Sequence, residues 1–484
     1  MPAIDYHAIL PELILSGTIL LALVAATALP RQRSWVAMPL SFLGVVGALV
    51  ATLTLIGSDR ATFGGTYVVD NFAVLFKVFF MVVALVVLAV SLRYFREGRF
   101  YQGEYYFLLL SSFLGMLTMP SSRDLLMLFI SLELVSAPGF LMAGLRKGDP
   151  RSNEAALKFF LIGVLSTAVM LYGMSLIYGV TGTLSLTGIA EVLSGPAGGG
   201  NLALAAILFV VAGFAFKVSA APFQFWAPDT YEGSPIPVAA YLSVASKAAG
   251  FAGLLQLMFV AFAPRADFWA PIFAVVSVAT MSLGNLVALQ QRQVVRLFAY
   301  SSIAQSGYML LPFALVGSDA AINRAAFAAV VLYILIYAVM NLGAFGVILA
   351  VAREAPGALV TDFAGLIRRA PALAVSMVLF LVSLAGIPFL AGFWGKFFIF
   401  SAAIDARQAW LAVVMVVNSV ISVAYYLSIA RQMIFVEAPQ DARPLRVPAL
   451  VSTVVVLAAA AIVTVGVFPD LFAHFPQVST LSAP

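Results

Sequence analysis

Two lysines stand near helix-breaking prolines inside apolar stretches of membrane-spanning length. Lys217 comes five residues before Pro222, and Lys396 comes eight residues after Pro388. Proline removes a backbone donor and clashes with the carbonyl one turn back, so each helix must kink or stop there. Backbone groups freed in hydrocarbon cost several kcal/mol each unless protein or water satisfies them. We therefore expect a polar, protein-enclosed cavity at the first of these breaks, beside Lys217. For Lys217 the alternative is a structural kink with a lysine that reaches for the membrane surface.

Every basic residue predicted inside a span is a lysine, although arginine outnumbers lysine by 20 to 6. These five residues are Lys77, Lys158, Lys217, Lys247 and Lys396. Arginine keeps its proton in a protein, whereas a buried lysine can release it, so the pattern indicates groups that load and unload protons. Lys77 and Lys158 lie near span ends, where a lysine that simply reaches for the surface is the simpler interpretation.

One acidic residue, Glu133, is predicted well inside a span, so it needs a partner or must be neutral. A lysine partner would keep both groups charged, and separation of the pair would free the proton of the lysine. A static buried ion pair is the alternative, and such pairs are weak evidence for stability.

The chain that carries these residues has 484 residues, of which 63% are hydrophobic and 10% charged. Apolar runs long enough to cross a membrane fill nearly all of it, and no soluble domain is visible. This composition predicts an all-α polytopic membrane protein. The predicted spans number fourteen, at 9–29, 35–57, 72–94, 104–120, 123–145, 154–180, 202–226, 236–263, 268–288, 294–316, 325–351, 372–402, 408–432 and 447–469.

Several kinds of chemistry are excluded by composition. The chain has no cysteine, which rules out disulfides, thiolate-held iron–sulfur clusters and thiol catalysis. Its two histidines, His7 and His474, lie near the chain ends, so no histidine is available inside for a metal, a haem or a proton relay. We expect no metal, cofactor or redox centre in this chain. The net charge of +5 reflects membrane topology, and no nucleic-acid partner is expected.

Basic residues in the connections predict the orientation of the spans. One set of loops holds five, namely Arg60, Arg123, Arg265, Arg324 and Arg407. The other set holds sixteen, namely Arg31, Arg33, Arg93, Arg96, Arg99, Arg146, Lys147, Arg151, Arg292, Arg296, Arg353, Arg368, Arg369, Arg431, Arg443 and Arg446. Because basic loops stay in the cytoplasm, this bias predicts an even number of spans with both termini outside. The first span follows Asp5 and Glu12, without a basic region or a small-residue cleavage site, which favours a retained span over a signal peptide.

A motif in the seventh span recurs in the twelfth. Residues 221–226 read APFQFW and residues 387–394 read IPFLAGFW, each with a lysine nearby. Because five spans separate the copies, they lie in opposite orientations, as in inverted repeats built around discontinuous helices. We therefore predict two inverted five-helix repeats. The predicted division is a three-helix segment at 1–100, repeats at 101–265 and 266–435, and a C-terminal helix with its tail at 436–484.

Five stretches of this chain carry a resemblance to a known family. They are SLEL at 131–134, LYGMSLIYGVTG at 171–182, WAPDTYEGSP at 226–235, AYSSIAQSGY at 299–308 and LAGIPFLAGFWGKF at 384–397. In these residues the chain resembles the antiporter-like subunits of respiratory complex I, and most nearly their subunit N branch. The related subunit M carries a glutamate where Lys396 stands here, and subunit L is longer at its C-terminus.

The resemblance implies a role for each matching residue. Glu133 and Lys217 match the pair of the first half-channel, Lys247 the central lysine, and Lys396 the lysine of the exit half-channel. Lys158 matches a possible relay on the uptake side. The breaks would lie at Pro222 in the seventh span and at Gly386 and Pro388 in the twelfth.

Two positions depart from the family, which usually has histidine where this chain has Gln224 and Gln305. Glutamine can order water but cannot hold a transferable proton near neutral pH. Either water bridges these positions, or the subunit translocates protons less well than its relatives; we favour the water bridge.

The resemblance implies a proton-translocating membrane-arm subunit of a bacterial NADH:quinone oxidoreductase in the inner membrane. FMN, iron–sulfur clusters, NADH and quinone would belong to the complex and not to this chain. Its partners would be another antiporter-like subunit, small membrane subunits and lipids. A cation/proton antiporter subunit, a structural subunit with an inactive proton path and an independent solute carrier are the alternatives.

Overall fold

The computed structural model describes residues 4–28, 35–98, 100, 102–196, 200–438 and 444–473. Its helices are α1 (Leu10–Ala28), α2 (Ala37–Leu53), α3 (Asn71–Glu97), α4 (Gln102–Thr118), α5 (Leu125–Ala143), α6 (Pro150–Thr181), α7 (Leu186–Ser194), α8 (Asn201–Lys217), α9 (Trp226–Gly233), α10 (Ile236–Tyr241), α11 (Lys247–Gln256), α12 (Ala266–Ala288), α13 (Val294–Leu310), α14 (Ala320–Ala352), α15 (Leu366–Arg369), α16 (Pro371–Ala385), α17 (Ala391–Asp405), α18 (Ala409–Phe435), α19 (Ala449–Val467) and α20 (Asp470–Ala473). Strands β1 (Arg60–Thr62) and β2 (Tyr67–Val69) form an antiparallel hairpin between α2 and α3.

The all-α polytopic fold is confirmed. Within the described ranges, fourteen helical units correspond to the fourteen predicted spans, and two of them are broken: α8 with α9, and α16 with α17. The eighth unit is continuous from α10 to residue 261 but contains two π-helical segments, Leu242–Ser246 and Leu257–Ala261. That unit and α14 are the most enclosed spans and form the middle of the bundle. The division into two repeats with separate terminal segments stays a prediction.

At the first break, protein side chains form hydrogen bonds with the backbone groups that the helix leaves unpaired. α8 ends at Lys217, and the chain turns through Ser219, which adopts a left-handed conformation with φ of 57°. The indole Nε1 of Trp226 donates to the carbonyl of Phe216 at 3.1 Å, and Thr280 Oγ1 accepts from the backbone N–H of Ala221 at 2.9 Å. The expectation of a protein-enclosed break therefore holds here. The seventh span continues through α9 to Gly233, beyond its predicted end at residue 226.

The second break is only partly enclosed by this chain. α16 ends at Gly386, where φ is 88°, and Ser383 Oγ accepts from the N–H of Gly392 at 3.0 Å. The left-handed backbone favours glycine at this position, and a Cβ there would lie 2.8 Å from Cδ of Lys396. Phe389, at the tip of the break, is 80% exposed.

A buried ion pair joins α1 to α3. Lys77 on α3 is fully buried, and its Nζ lies 2.9 Å from Oε1 of Glu12 on α1. The same Nζ donates to Tyr67 Oη at 2.6 Å. The interpretation of Lys77 as a lysine that reaches the surface is wrong, because Glu12 in the adjacent helix neutralises it in place.

Arg123, counted above as a loop residue, is buried as well. Its guanidinium lies 2.5 Å from Asp70, the N-cap of α3, and donates to Gln256 Oε1 at 2.5 Å. Gln256 stands at the end of α11, and its Nε2 donates to the carbonyl of Met119 at 2.9 Å. Arg123 thus ties the start of α5 to α3 and to the eighth span.

The orientation of the spans stays a prediction. Of the other basic residues that it rests on, four lie outside the described residues, namely Arg31, Arg33, Arg99 and Arg443. His474 lies outside them as well.

We predict that Lys77→Met lowers the stability of the protein by about 3–5 kcal/mol, because it leaves Glu12 buried without its counter-charge. The double change Glu12→Leu with Lys77→Met should recover most of that loss, since it removes both charges. Thermal unfolding midpoints of the purified complex measure both effects. Arg93→Met breaks an exposed pair with Glu97 and serves as the control, with a change within about 1 kcal/mol. A Lys77→Met variant as stable as this control would contradict the role of the pair.

Candidate functional site

Glu133 and Lys217 lie in the same region but do not form an ion pair. Lys217 is buried at the end of α8, and its Nζ donates to Ser136 Oγ on α5 at 2.9 Å. Glu133, three residues earlier on α5, is half-buried, and its Oε1 accepts from Thr167 Oγ1 at 2.9 Å. Their charged atoms stay more than 4.0 Å apart. The expected pair is therefore open in this structure, with each member held by a hydroxyl group.

Lys247 follows the first π-helical segment and lies close to Lys217 in the fold. Gly250, one turn after Lys247 on α11, faces the side chain of Lys217, and a Cβ there would lie 2.9 Å from Lys217 Cγ. The broken helix α8 therefore packs directly on the helix that carries the central lysine. Only glycine permits this approach.

The ammonium group of Lys247 points across to α13, in the second half of the bundle. Its Nζ donates to the carbonyl of Ser302 at 2.8 Å, to Ser302 Oγ at 2.9 Å and to Ser306 Oγ at 3.2 Å. The helix that carries Lys247 thus contacts the first broken helix, while the ammonium group of Lys247 contacts α13. This position suits a connecting residue.

Gln305 stands between Lys247 and the second break and is buried. Its Nε2 donates to the carbonyl of Leu384 at 3.3 Å and to Tyr426 Oη at 3.2 Å, and its Oε1 accepts from Tyr333 Oη. Tyr426 Oη also lies 2.6 Å from Ser301 Oγ. The amide therefore holds the end of α16 and orders two tyrosine hydroxyls. Such hydroxyls can both donate and accept, unlike a fixed amide.

Lys396 on α17 is buried against the second break. Its Nζ donates to Ser419 Oγ at 2.7 Å and to the carbonyl of Ala385, the last residue of α16, at 3.0 Å. The same atom lies 4.5 Å from the centre of the Tyr308 ring. A lysine at a helix C-terminus is favoured by the unpaired carbonyls and the helix dipole.

Lys217, Lys247 and Lys396 share one feature that Lys77 lacks. Across the described ranges, none of the three has a carboxylate oxygen within 4.0 Å. All three are at most 6% exposed and donate to hydroxyl or carbonyl oxygens instead. We call them the lysine row.

Polar atoms beside the lysine row are left without protein partners. In the part of the chain that the structure describes, they are Ser219 Oγ and Gln224 Oε1 in the first break, and Tyr337 Oη and Asn341 Oδ1 on α14. Buried polar atoms of this kind are commonly satisfied by ordered water. Gln224 therefore differs from Gln305, because its buried acceptor oxygen has no protein partner among the described residues, whereas that of Gln305 accepts from Tyr333.

Lys158 belongs to a different, partly exposed network. Its Nζ lies 2.7 Å from Glu154 and 2.7 Å from Asp229 on α9, and Asp229 also pairs with Arg296 on α13 at 2.7 Å. The side chain of Lys158 is 43% exposed. The structure does not bring it into contact with the lysine row, and its position at the surface agrees with the simpler interpretation given above.

The side chains that contact Glu133, Gln305 and the lysine row were not predicted from the sequence. They are Ser136, Thr167, Ser302, Ser306, Tyr308, Tyr333, Ser419 and Tyr426. Serine and threonine are common in spans, where they often donate to their own helix backbone, so composition alone does not mark them. The run Ser301-Ser302 followed by Gln305 and Ser306 on one span was the available signal.

The helical fold, its two broken helices and the lysine row define an antiporter-like membrane protein. A family model described as "NADH:quinone oxidoreductase/Mrp antiporter, TM" matches residues 122–422. NADH-quinone oxidoreductase subunit N of Trichlorobacter lovleyi is 39% identical over 98% of this chain and 96% of that protein. NADH-quinone oxidoreductase subunit N 2 of Streptomyces griseus is 42% identical over 99% of this chain and 94% of that protein.

Two solved structures extend the comparison. A chain of respiratory complex I from Thermus thermophilus with bound aureothin is 32% identical, with a TM-score of 0.79 over 97% of this chain and 99% of that one. A chain of the Mrp complex from a Dietzia species is 22% identical, with a TM-score of 0.86 over 98% and 97%, and shows the shared fold alone. The chain belongs to the NADH:quinone oxidoreductase and Mrp antiporter transmembrane family, within its subunit N group.

We predict that Gln305→Leu destabilises the second break by about 1–3 kcal/mol, because it leaves the Tyr333 hydroxyl and the Leu384 carbonyl without their buried partner. Gln305→His keeps a donor and an acceptor and should stay close to the native stability. Thermal unfolding of the purified complex distinguishes the two variants. Equal midpoints for the leucine and histidine variants would show that the amide does not hold the break.

Proposed function

We propose that this chain conducts protons as a membrane-arm subunit of a bacterial NADH:quinone oxidoreductase. The observation that carries the proposal is the lysine row: three buried lysines, one at each helix break and one between them, all held by hydroxyl or carbonyl groups and none by a carboxylate. A lysine without a fixed counter-charge can exchange its proton, whereas arginine could not. The family membership of the chain supports the assignment to this complex.

In the proposed mechanism, Glu133 controls the charge on Lys217. When the carboxylate approaches Lys217, the pair keeps the lysine protonated. When it turns to Thr167, as in this structure, Ser136 is the one polar partner of Lys217 among the described residues. The proton of Lys217 then passes toward Lys247. Electron transfer elsewhere in the complex would drive this change.

The second half of the path runs from Lys247 to Lys396. Ser302 and Ser306 contact the ammonium of Lys247, and Ser419 contacts that of Lys396. Between them the hydroxyls of Tyr333 and Tyr426, ordered by Gln305, would work together with water. Moving each proton against the membrane potential costs about 2.3 kcal/mol per 100 mV, which the redox reaction would have to supply.

The finer points of location and composition are part of the same proposal. The chain would lie in the inner membrane with both termini on the periplasmic side, next to another antiporter-like subunit and small membrane subunits. It would carry no redox cofactor or metal itself, and FMN, iron–sulfur clusters, NADH and quinone would act in other subunits. The division of the chain into two inverted repeats, with Lys217 in one and Lys396 in the other, is also part of this proposal.

We predict that Lys247→Arg stops coupled proton transfer although it preserves the positive charge, because arginine does not release its proton. NADH-driven proton uptake by inverted membrane vesicles should fall by about tenfold or more, since a positioned proton-transfer group contributes about 10²–10⁴ to a rate. Lys147→Arg, at a surface lysine with 66% side-chain exposure, is the matched control and should pump normally. Normal pumping by Lys247→Arg would contradict the proposal.

A second prediction tests the open state of Lys217. Ser136→Asp would place a permanent carboxylate next to Lys217 and hold its proton, so coupled turnover should fall by about tenfold or more. Ser136→Asn has nearly the same size but no charge and should retain most activity. The two variants are compared by NADH:quinone turnover and proton uptake in the same vesicles. If both behaved alike, the effect would be one of packing and the charge argument would fail.

A further inference from the structure

Lys77 and Lys396 each lie over the ring of a tyrosine, but the two tyrosines are oriented differently. Lys77 Nζ lies 4.8 Å from the ring centre of Tyr67 and also donates to its hydroxyl at 2.6 Å. Lys396 Nζ lies 4.5 Å from the ring centre of Tyr308. The hydroxyl of Tyr308 instead accepts from Asn285 Nδ2 at 3.0 Å. Lys396 therefore meets the face of its tyrosine, while the hydroxyl is bonded elsewhere.

A buried amide network holds the Tyr308 hydroxyl in this direction. Besides Tyr308, the Nδ2 group of Asn285 donates to Asn418 Oδ1 at 3.3 Å. The Oδ1 atom of Asn285 accepts from Tyr425 Oη at 3.0 Å. Asn285 and Tyr308 are completely buried. Since both polar atoms of the Asn285 side chain are engaged, the amide is fixed and fixes the hydroxyl in turn.

Two glycines bring α12 and α13 together at this point. Gly284 precedes Asn285, and a Cβ on it would lie 2.5 Å from the backbone nitrogen of Ala304. Gly307 precedes Tyr308, and a Cβ on it would lie 2.5 Å from the backbone nitrogen of Met281. Because backbone packs on backbone here, the positions of the amide and of the tyrosine ring are set by the helices themselves.

Consecutive residues of α18 contact the amide network and the lysine. Asn418 accepts from Asn285, and its own Nδ2 donates to Ser282 Oγ at 3.2 Å. Ser419 Oγ accepts from Lys396 Nζ at 2.7 Å. The network that orients the ring and the hydroxyl that holds the ammonium group are therefore joined through one helix.

Among the described residues, no carboxylate oxygen lies within 4.0 Å of the Lys396 ammonium group. Of the elements packed on α17, α16, α19 and the turn at 311–315 contain no charged or titratable side chain. The titratable groups of the surrounding helices are tyrosine hydroxyls, at Tyr333 on α14 and at Tyr425 and Tyr426 on α18. The arginines of α13, α14 and α18 lie toward the helix ends, at Arg296, Arg324 and Arg431.

We propose that Tyr308 is a positioning residue for proton transfer at Lys396, and that its ring face attracts the ammonium group where a carboxylate partner is missing. The face of an aromatic ring carries negative charge density, which attracts a cation but has little effect on a neutral amine. Unlike a carboxylate, it has no lone pair that could take the proton. The ring would therefore favour the loaded lysine without trapping it. The inference rests on the proposed function, because it assumes that Lys396 carries a proton.

The test weakens the ring face without changing its shape. Tyr308→Phe is the starting variant, and phenylalanine with one, two or three ring fluorines then replaces residue 308, because fluorine withdraws charge density from the face. NADH-driven proton uptake by inverted vesicles is measured against pH. Since a less attracted ammonium group loses its proton at lower pH, the alkaline midpoint of uptake should fall stepwise, by about 0.5–1.5 pH units in total.

The same fluorinated series at Phe298 is the control. Phe298 lies on α13 as well, and its ring packs on Phe345 with 5.7 Å between the ring centres. This series should leave the midpoint unchanged. An unchanged midpoint in the series at residue 308 would overturn the proposal, because a ring that only fills space would respond to fluorine no differently from Phe298.

A second test asks whether Asn285 acts through Tyr308. Asn285→Leu should lower the alkaline midpoint in the native background, because the ring loses its orientation. In the Tyr308→Phe background it should add little, since the hydroxyl that the amide holds is already absent. Equal shifts in both backgrounds would contradict this role of the amide network.

The outcome for Lys247→Arg separates this inference from the proposed function. If Lys247→Arg pumps normally, the proton path itself fails. If Lys247→Arg stops pumping while fluorination at residue 308 leaves the midpoint unchanged, the role of Tyr308 alone fails.

Discussion

The absence of water from hydrocarbon governs this structure more than any single contact. Each broken helix exposes backbone groups that the membrane cannot satisfy, and each buried lysine carries a charge that it cannot solvate. Polar protein groups bond to the freed backbone and to the buried lysines in the same regions of the fold. Trp226 and Thr280 bond the backbone of the first break, and Ser383 does so at the second. The lysines at the breaks bond to hydroxyls and carbonyls of the same regions. The polar groups that a broken helix needs and those that a buried lysine needs therefore lie in the same regions of the fold.

The chain contains two kinds of buried lysine, and the difference between them is the presence of a carboxylate. Lys77 is held by Glu12 at 2.9 Å and joins α3 to α1. Lys217, Lys247 and Lys396 are equally buried but bond to oxygens that carry no full charge. A fixed counter-charge would hold the proton in place, so its absence is what permits transfer. The same residue type thus holds two helices together in one place and, in the proposed mechanism, carries protons in another.

Much of the fold could be predicted from the sequence, because each membrane span is a long apolar run and proline marks where a span breaks. Lys217, Lys247 and Lys396 stood out for the same reason, as charges in apolar surroundings. The partners could not be predicted. Whether Lys77 meets Glu12 depends on how α1 packs on α3, and whether Glu133 meets Lys217 depends on a side-chain rotation that leaves no trace in the sequence. The exposure of Phe389 likewise depends on which side of the bundle the second break occupies.

The most direct test of the account is a structure of the native complex with ordered water resolved between Lys217 and Lys396. We predict water at Ser219 Oγ and Gln224 Oε1, and a continuous chain of water and hydroxyl groups from Lys217 through Lys247 and past Gln305 to Lys396. A dry gap at Gln305, where the amide already bonds Tyr333, Tyr426 and Leu384, would contradict it. The chain would then hold its place in the complex without conducting protons.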